Sequence, residues 1–284
     1  MKIVSLDILS YKSFTQPVRI PFSADFNVFI GPNNCGKTNV LDAIDFLAHP
    51  TKDPERLHHH RSRIKALVRL TEAERTQWGI GSDVALTGEQ YAVSCLDMAG
   101  HSCNAKVLAA IGNRIKMLRY ADFNDFATID ADYTSLATQF PTAFARLQSL
   151  LNSYFPEVRS IEKLVDVDAG EFGTVNIGQS SITIERLGGG FRRVLVILMY
   201  ALHPDYSVIL IDEPEIHLHP SLIKKLLRII ATEETNQIIA TSHSPLMISA
   251  GRIREVYRVL KDGQGSHVYS LAQQRIPLDA RPFV

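Results

Sequence analysis

Lys37 and Thr38 stand directly behind a glycine-rich turn, in the order Gly31-Pro32-Asn33-Asn34-Cys35-Gly36-Lys37-Thr38. That spacing, Gly-x-x-x-x-Gly-Lys-Thr, is the P-loop pattern, and its chemistry is the binding of phosphate. The glycines let backbone N–H groups curl around phosphate oxygens, and the N-terminus of a following helix adds positive potential. Lys37 brings a point charge to β- and γ-phosphates, while the Thr38 hydroxyl can ligate Mg²⁺. The expected ligand is a nucleotide, with Asn33, Asn34, Cys35, Gly36, Lys37, Thr38 and Asn39 as candidate contacts. Cys35 admits two readings: a thiol activated by the helix N-terminus and Lys37, or an inert small residue.

A second set of groups lies far along the chain. Val208-Ile209-Leu210-Ile211-Asp212-Glu213 is an apolar run that ends in two carboxylates. In an α/β sheet, ligands bind at the carboxyl ends of the strands. Asp212 there would hold Mg²⁺ through water, and Glu213 could polarise an attacking water. Taken alone, the pair could equally be a solvated strand end. Thirty-one residues after Asp212, a further apolar strand runs into Thr241-Ser242-His243-Ser244-Pro245, which puts His243 at the neighbouring strand end.

Positioning these groups requires alternating strands and helices. Lys2–Ile8, Val18–Phe22 and Asn27–Ile30 read as strands, the last buried and leading into the glycine turn. Val40, Leu41, Ile44 and Leu47 follow at helical spacing. Ala66–Leu70, Gln90–Leu96 and Ile115–Tyr120 read as further strands. Leu136, Phe140, Phe144, Leu147, Leu150 and Leu151 predict one amphipathic helix from about Tyr133 to Tyr154, ending before Pro156. Val175–Ile184 predicts a strand. Leu187-Gly188-Gly189-Gly190 opens the apolar run Phe191–Leu202, too long for a strand and read as a buried helix. Ser207–Ile211 and Gln237–Ala240 read as buried strands, with the helix Leu222–Ala231 between them. Glu255–Leu260 and His267–Leu271, around Asp262-Gly263-Gln264-Gly265, predict a β-hairpin. The expectation is one bilobed α/β domain over residues 1–284. It has a mainly parallel sheet, an antiparallel β region at the N-terminus and a helical lobe from about residue 130 to 203.

The stretches GPNNCGKTN, LGGGFRR, VILIDEPEIHLHP and TSHSP, in that order, resemble the nucleotide-binding heads of ABC-type ATPases. Within that superfamily they resemble the RecF, SMC and OLD group rather than transporters, and the resemblance covers nearly the whole chain. It implies a P-loop NTPase fold, ATP and Mg²⁺ as cofactors, and a homodimer that sandwiches two ATP molecules. On that basis Lys37 and Thr38 hold phosphate and Mg²⁺, Asp212 holds the metal, Glu213 is catalytic, and His243 senses the γ-phosphate. Leu187–Gly190 is the signature contributed across the dimer. The family's signature serine has no counterpart in Gly188-Gly189-Gly190, although backbone N–H groups at the start of the next helix can still bind phosphate, so slow hydrolysis is expected. A Q-loop glutamine is left open, since Gln139 falls inside a predicted helix. The 151 residues from Lys37 to Gly188 carry no heptads of an SMC arm. The 41 residues after His243 are too few for the TOPRIM nuclease domain of OLD proteins.

Thirty Lys and Arg balance thirty Asp and Glu, so the chain has no general attraction to phosphate polymers. Lys52, Arg56, Arg61, Arg63, Lys65 and Arg69 form a local excess, with Asp53 and Glu55 as its acids. That stretch either docks DNA or RNA phosphate or is a solvated charged loop, and without interleaved aromatics it offers no base stacking. The longest apolar run has nine residues, Val194–Leu202, against about 20 for a membrane span. Met1–Ser10 is interrupted by Asp7 and has no signal-peptide core, so a cytoplasmic protein is expected. Cys35, Cys95 and Cys103 are too few and too irregular for a disulfide framework or a zinc site. The implied function is an ATPase whose ATP-dependent dimerisation controls a separately encoded nuclease or toxin, in DNA repair or phage defence. The alternatives are a RecF-like ATPase that clamps DNA, and a switch that binds ATP with little hydrolysis.

Overall fold

The computed structural model describes residues 1–50, 62–89, 92–166, 170–233, 235–248 and 255–271. The chain begins with β1 (Lys2–Leu9), β2 (Val18–Pro21) and β3 (Phe26–Ile30), followed by α1 (Lys37–Ala48). Next come β4 (Arg63–Arg69), α2 (Glu72–Trp78), β5 (Val84–Glu89), β6 (Ala92–Asp97), α3 (Ala105–Asn113) and β7 (Ile115–Leu118). A lobe follows, made of α4 (Phe126–Gln139), α5 (Pro141–Tyr154), β8 (Val158–Asp166), β9 (Gly170–Ile177), β10 (Ser180–Thr183) and α6 (Gly189–Leu202). The chain then returns through β11 (Val208–Asp212), α7 (Pro220–Thr232), β12 (Gln237–Ser242), β13 (Glu255–Asp262) and β14 (Gly265–Ser270).

The central sheet has the order β14-β13-β3-β12-β11-β7 and is parallel except for β14, which returns antiparallel as a hairpin. Its inner strands are apolar on both faces because each face meets a core. In β11, Ile209 and Ile211 join the core under α4–α7, while Val208 and Leu210 join the core shared with α1 and the N-terminal sheet. The N-terminal sheet, β2-β1-β4-β5-β6, is wholly antiparallel. On β4 it alternates Ile64, Ala66 and Val68 inward with Arg63, Lys65 and Arg69 outward.

Three expectations are corrected. The helix predicted across Tyr133–Tyr154 is two helices, because Phe140 leaves helical geometry (φ −129°, ψ 60°) ahead of Pro141, which opens α5 at a position needing no N–H partner. The strand predicted over Val175–Ile184 is a hairpin that turns at Gly178, φ +60°. The lobe from about 130 to 203 is not wholly helical, since it carries the antiparallel sheet β10-β9-β8 on α4.

Candidate nucleotide-binding site

The buried strand β3 ends at Ile30 and turns at once into the phosphate loop. Gly31 is required by space: a Cβ there would collide with the Val259 carbonyl of β13 and lie 2.9 Å from the Cys35 sulfur. Gly36 is required by conformation, φ +101°, and by crowding against Ser13 and Ser266. The loop is clasped between the turn after β1 and the β13–β14 hairpin. Ser266 Oγ donates to the Cys35 carbonyl at 2.7 Å, and the Ser266 N–H donates to the Ser13 carbonyl at 2.8 Å. Helix α1 starts at Lys37, so its first N–H groups are left for a ligand. Lys37 folds back on the loop, donating from Nζ to the carbonyls of Gly31 at 3.0 Å and Pro32 at 2.8 Å.

Parallel pairing delivers the acidic and histidine groups to the same edge. Asp212 pairs with Thr241, and Ser242 pairs with Ile30. Thr38 Oγ1 donates to Asp212 Oδ1 at 3.0 Å, and Thr241 Oγ1 donates to the same oxygen at 2.5 Å. Glu213 adopts φ +50°, uncommon for a residue with a Cβ. Its N–H donates to Thr241 Oγ1 at 3.1 Å. Arg193, buried in α6, holds the same turn from the other side, donating from Nη2 to the Glu213 carbonyl at 2.9 Å and from Nε to the Pro214 carbonyl at 3.1 Å. Its guanidinium lies 3.9 Å from the Phe123 ring centre. Burial pushes the Arg193 pKa down to about 10, which still leaves it charged at neutral pH.

His243 Nδ1 lies 3.5 Å from a carboxylate oxygen of both Glu213 and Glu215. Glu215 is buried and pins the end of β12, accepting from Ser242 Oγ at 2.5 Å and from the His243 N–H at 3.0 Å. The result is one cleft of about 750 Å³ in which Asn33, Asn34, Gly36, Lys37, Thr38 and Asn39 face Glu213 and His243.

A family model described as "AAA domain, putative AbiEii toxin, Type IV TA system" matches residues 101–249, just over half of the chain. The chain belongs to this AAA family. A second model, "AAA ATPase domain", matches residues 1–133 of the same AAA protein. It is 28% identical over 123 residues to "DNA replication and repair protein RecF" of Lactococcus lactis subsp. cremoris, covering 43% of this chain and 30% of that protein. It is 35% identical over 72 residues to "Old nuclease" of Escherichia phage P2, covering 25% of this chain and 12% of the nuclease. Among solved structures, "Crystal structure of the SmcHead bound to the C-winged helix domain of ScpA" superposes with a TM-score of 0.77 at 16% identity, over 97% of this chain and 100% of that one. That likeness shows the fold. The matches span from 4% to 30% of these curated relatives, taking the Smc protein of Coxiella burnetii and the RecF protein as examples. The AAA protein is an ABC-type ATPase head of the RecF, SMC and OLD group. Its longest helices among the described residues have 14 residues, so no coiled-coil arm is formed there.

In this ATPase head, Gly188 caps α6, and Gly188 and Gly189 are exposed outside the cleft, with open space where a Cβ would stand. The Cys35 thiol is buried against Gly31, which favours its reading as an inert small residue whose backbone belongs to the loop. Gln139 closes α4 and is not among the cleft residues. Beside Asp212 on the binding edge, the chain leaving β7 presents Arg119 and Tyr120 instead. Arg119 donates to Asp42 at 2.8 Å and Asp45 at 3.4 Å, bracing α1.

Of the basic stretch, Lys52, Arg56 and Arg61 lie outside the described residues. Arg63 pairs with Glu89 at 2.6 Å and Arg69 with Asp83 at 3.7 Å, while Lys65 is exposed on β4 between them. Two cleft residues escaped the sequence reading. Ser13 accepts from Asn39 Nδ2 at 2.7 Å, and Lys261 comes from the end of β13. Neither sits in a recognisable motif, and only the clasp around the loop brings them in. Among the described residues, no helix is long and apolar enough to cross a membrane.

Proposed function

We propose that this ATPase head binds ATP with Mg²⁺ in the cleft and hydrolyses it slowly. ATP closes two copies into a dimer, and that closure controls a separate effector. The observation that carries the reading is the Thr38–Asp212 hydrogen bond, which joins the phosphate loop to the acidic strand end across 174 residues. The Thr38 hydroxyl lines the cleft and is bonded to the Asp212 carboxylate, and such hard oxygen donors suit Mg²⁺. Thr38 and Asp212 would hold the ion, which when bound neutralises charge on the β- and γ-phosphate oxygens. Lys37 would exchange two neutral carbonyl acceptors for phosphate oxygens, a stronger charge-assisted bond. Glu213 takes a proton from the attacking water, and His243 beside it contacts the γ-phosphate. Gly188 and Gly189, exposed at the start of a 14-residue helix with half-buried Gly190 behind them, offer N–H groups to the nucleotide of a second copy.

The effector reading, a separately encoded nuclease or toxin in DNA repair or phage defence, is supported by the likeness to RecF and Old nuclease. Glu213→Gln tests the core of it. ATP binding should persist, hydrolysis should slow by at least about 100-fold, and gel filtration should show an ATP-dependent dimer. A variant that stays monomeric with ATP overturns the sandwich. The serine-free Gly188–Gly190 favours a second reading, a switch with little hydrolysis, and single-turnover phosphate release separates the two.

A further inference from the structure

A groove of about 720 Å³ opens between α5 and α7 and shares no residue with the nucleotide cleft. Helical spacing builds its walls. Arg146, Ser149 and Ser153 fall on one stripe of α5, while Lys224, Lys225 and Arg228 occupy the outer side of α7, whose inner side buries Ile223, Leu226, Leu227 and Ile230. Four cations therefore line a groove with one carboxylate, Glu233, and Arg146 already engages it at 3.3 Å. With the described residues, Lys224, Lys225 and Arg228 form no ion pair. Rings brace two of them instead: Lys225 Nζ lies 4.6 Å from the Phe155 ring centre, and the Arg228 guanidinium 5.9 Å from that of Tyr154. Lys224 and Arg228 are like charges at i, i+4, a placement that disfavours an isolated helix. In a chain of zero net charge, this concentration calls for an anionic partner.

We propose that the α5–α7 groove holds single-stranded nucleic acid by its phosphodiester backbone. Lysine, arginine, serine and tyrosine are the side chains that bind phosphate oxygens in nucleic-acid complexes, and they make up most of this lining. The apolar anchors that a protein partner would bury are limited here to Leu150 and the Tyr154 ring. Lys224 and Arg228 stand one helical turn apart, about 6 Å along the axis, so they can grip neighbouring phosphates. A strand with unpaired bases is favoured over a duplex because an aromatic ring stands among the cations. Tyr154, half-buried beside Arg228, offers a ring for one base to stack on. The groove thus supplies the unpaired charge that the ion-paired Arg63 and Arg69 do not. This inference stands independently of the nucleotide cleft.

The test is fluorescence anisotropy of the full chain without nucleotide, using a labelled 12-nucleotide oligo-dT, a duplex of equal length and a salt series. Wild type should bind the single strand more tightly than the duplex. Lys224→Gln/Lys225→Gln/Arg228→Gln should lose about 100-fold in affinity near 0.1 M salt, and its log–log salt slope should fall by about 2, at ~0.7 per lost contact. Arg63→Gln/Arg69→Gln should bind as wild type. Circular dichroism and ATP binding by the triple variant establish that it is folded. A 5-iodouracil strand should photocrosslink to Tyr154. An unchanged slope in the folded triple variant overturns the proposal, as does absence of oligonucleotide binding or a preference for the duplex. Displacement of the strand by polyglutamate at matched charge and ionic strength would assign the groove to an acidic protein segment instead.

Discussion

If Gly188–Gly190 is the signature proposed above, Gly188→Ser restores a hydroxyl to it, and the geometry makes that substitution clean. The residue is the N-cap of α6 at φ −54°, ψ 132°, which any amino acid adopts, and a Cβ there would meet nothing within 4 Å. Serine and glycine differ at N-caps by only a few tenths of a kcal/mol, so Gly188→Ser should melt within roughly 1–2 °C of wild type. The chemical effect should be far larger. A hydroxyl bonded to a charged phosphate contributes about 1.5–3 kcal/mol. If that bond is completed only as charge develops on the γ-phosphate, kcat should rise about 10- to 150-fold. Phosphate release at saturating ATP and Mg²⁺ measures it, and the gain should grow with protein concentration because the serine would act on the partner's nucleotide. A folded variant that dimerises with ATP at unchanged kcat would refute the placement of Gly188–Gly190 on the γ-phosphate.

Lys37→Ala should weaken ATP binding by about 10- to 150-fold, the loss of a charge-assisted bond, as read by calorimetry with Mg²⁺. Arg193→Met removes the donors to the Glu213 and Pro214 carbonyls, so kcat should fall while ATP affinity stays within about threefold; Arg193→Lys should recover part of the rate, and an equal loss of affinity would show a general structural role. Cys103 is half-buried whereas Cys35 and Cys95 are buried, so a thiol reagent should modify one cysteine quickly and the other two only on unfolding, with ATP binding preserved until then. His203 is buried against the Phe140 and Tyr206 rings, and burial lowers its pKa from 6.5. The unfolded chain therefore binds a proton that the folded chain refuses, so stability should be full above about pH 6.5 and decline as the pH falls below it. His203→Gln should flatten the acid limb of a urea-midpoint series.

The phosphate loop was readable because it is local: eight consecutive residues set the backbone conformation, and Gly31 and Gly36 are where a side chain is sterically excluded. The apolar runs of β3, β11 and β12 were readable for a related reason, since strands buried on both faces are dominated by apolar residues, with polar groups such as Asn27 and Gln237 admitted where they find hydrogen-bond partners. Together with the signature and His243 stretches, they sufficed to place the chain in its ATPase group. Periodicity also found the buried faces of Leu136, Leu147, Leu150 and Leu151, but it could not register the break at Phe140, because both helices point the same stripe at the same core. Tertiary structure alone decided which groups meet. Ser13 and Lys261 reach the cleft from opposite ends of the chain, and Arg193 finds the Glu213 carbonyl across 20 residues. Arg146 joins Lys224, Lys225 and Arg228 only because α5 and α7 lie side by side. Burial, ion pairing and cleft formation depend on packing between distant segments: Arg63 on β4 is paired with Glu89 of the next strand, whereas Arg228 on α7 has no ion pair among the described residues, and nothing in the local sequence distinguishes the two.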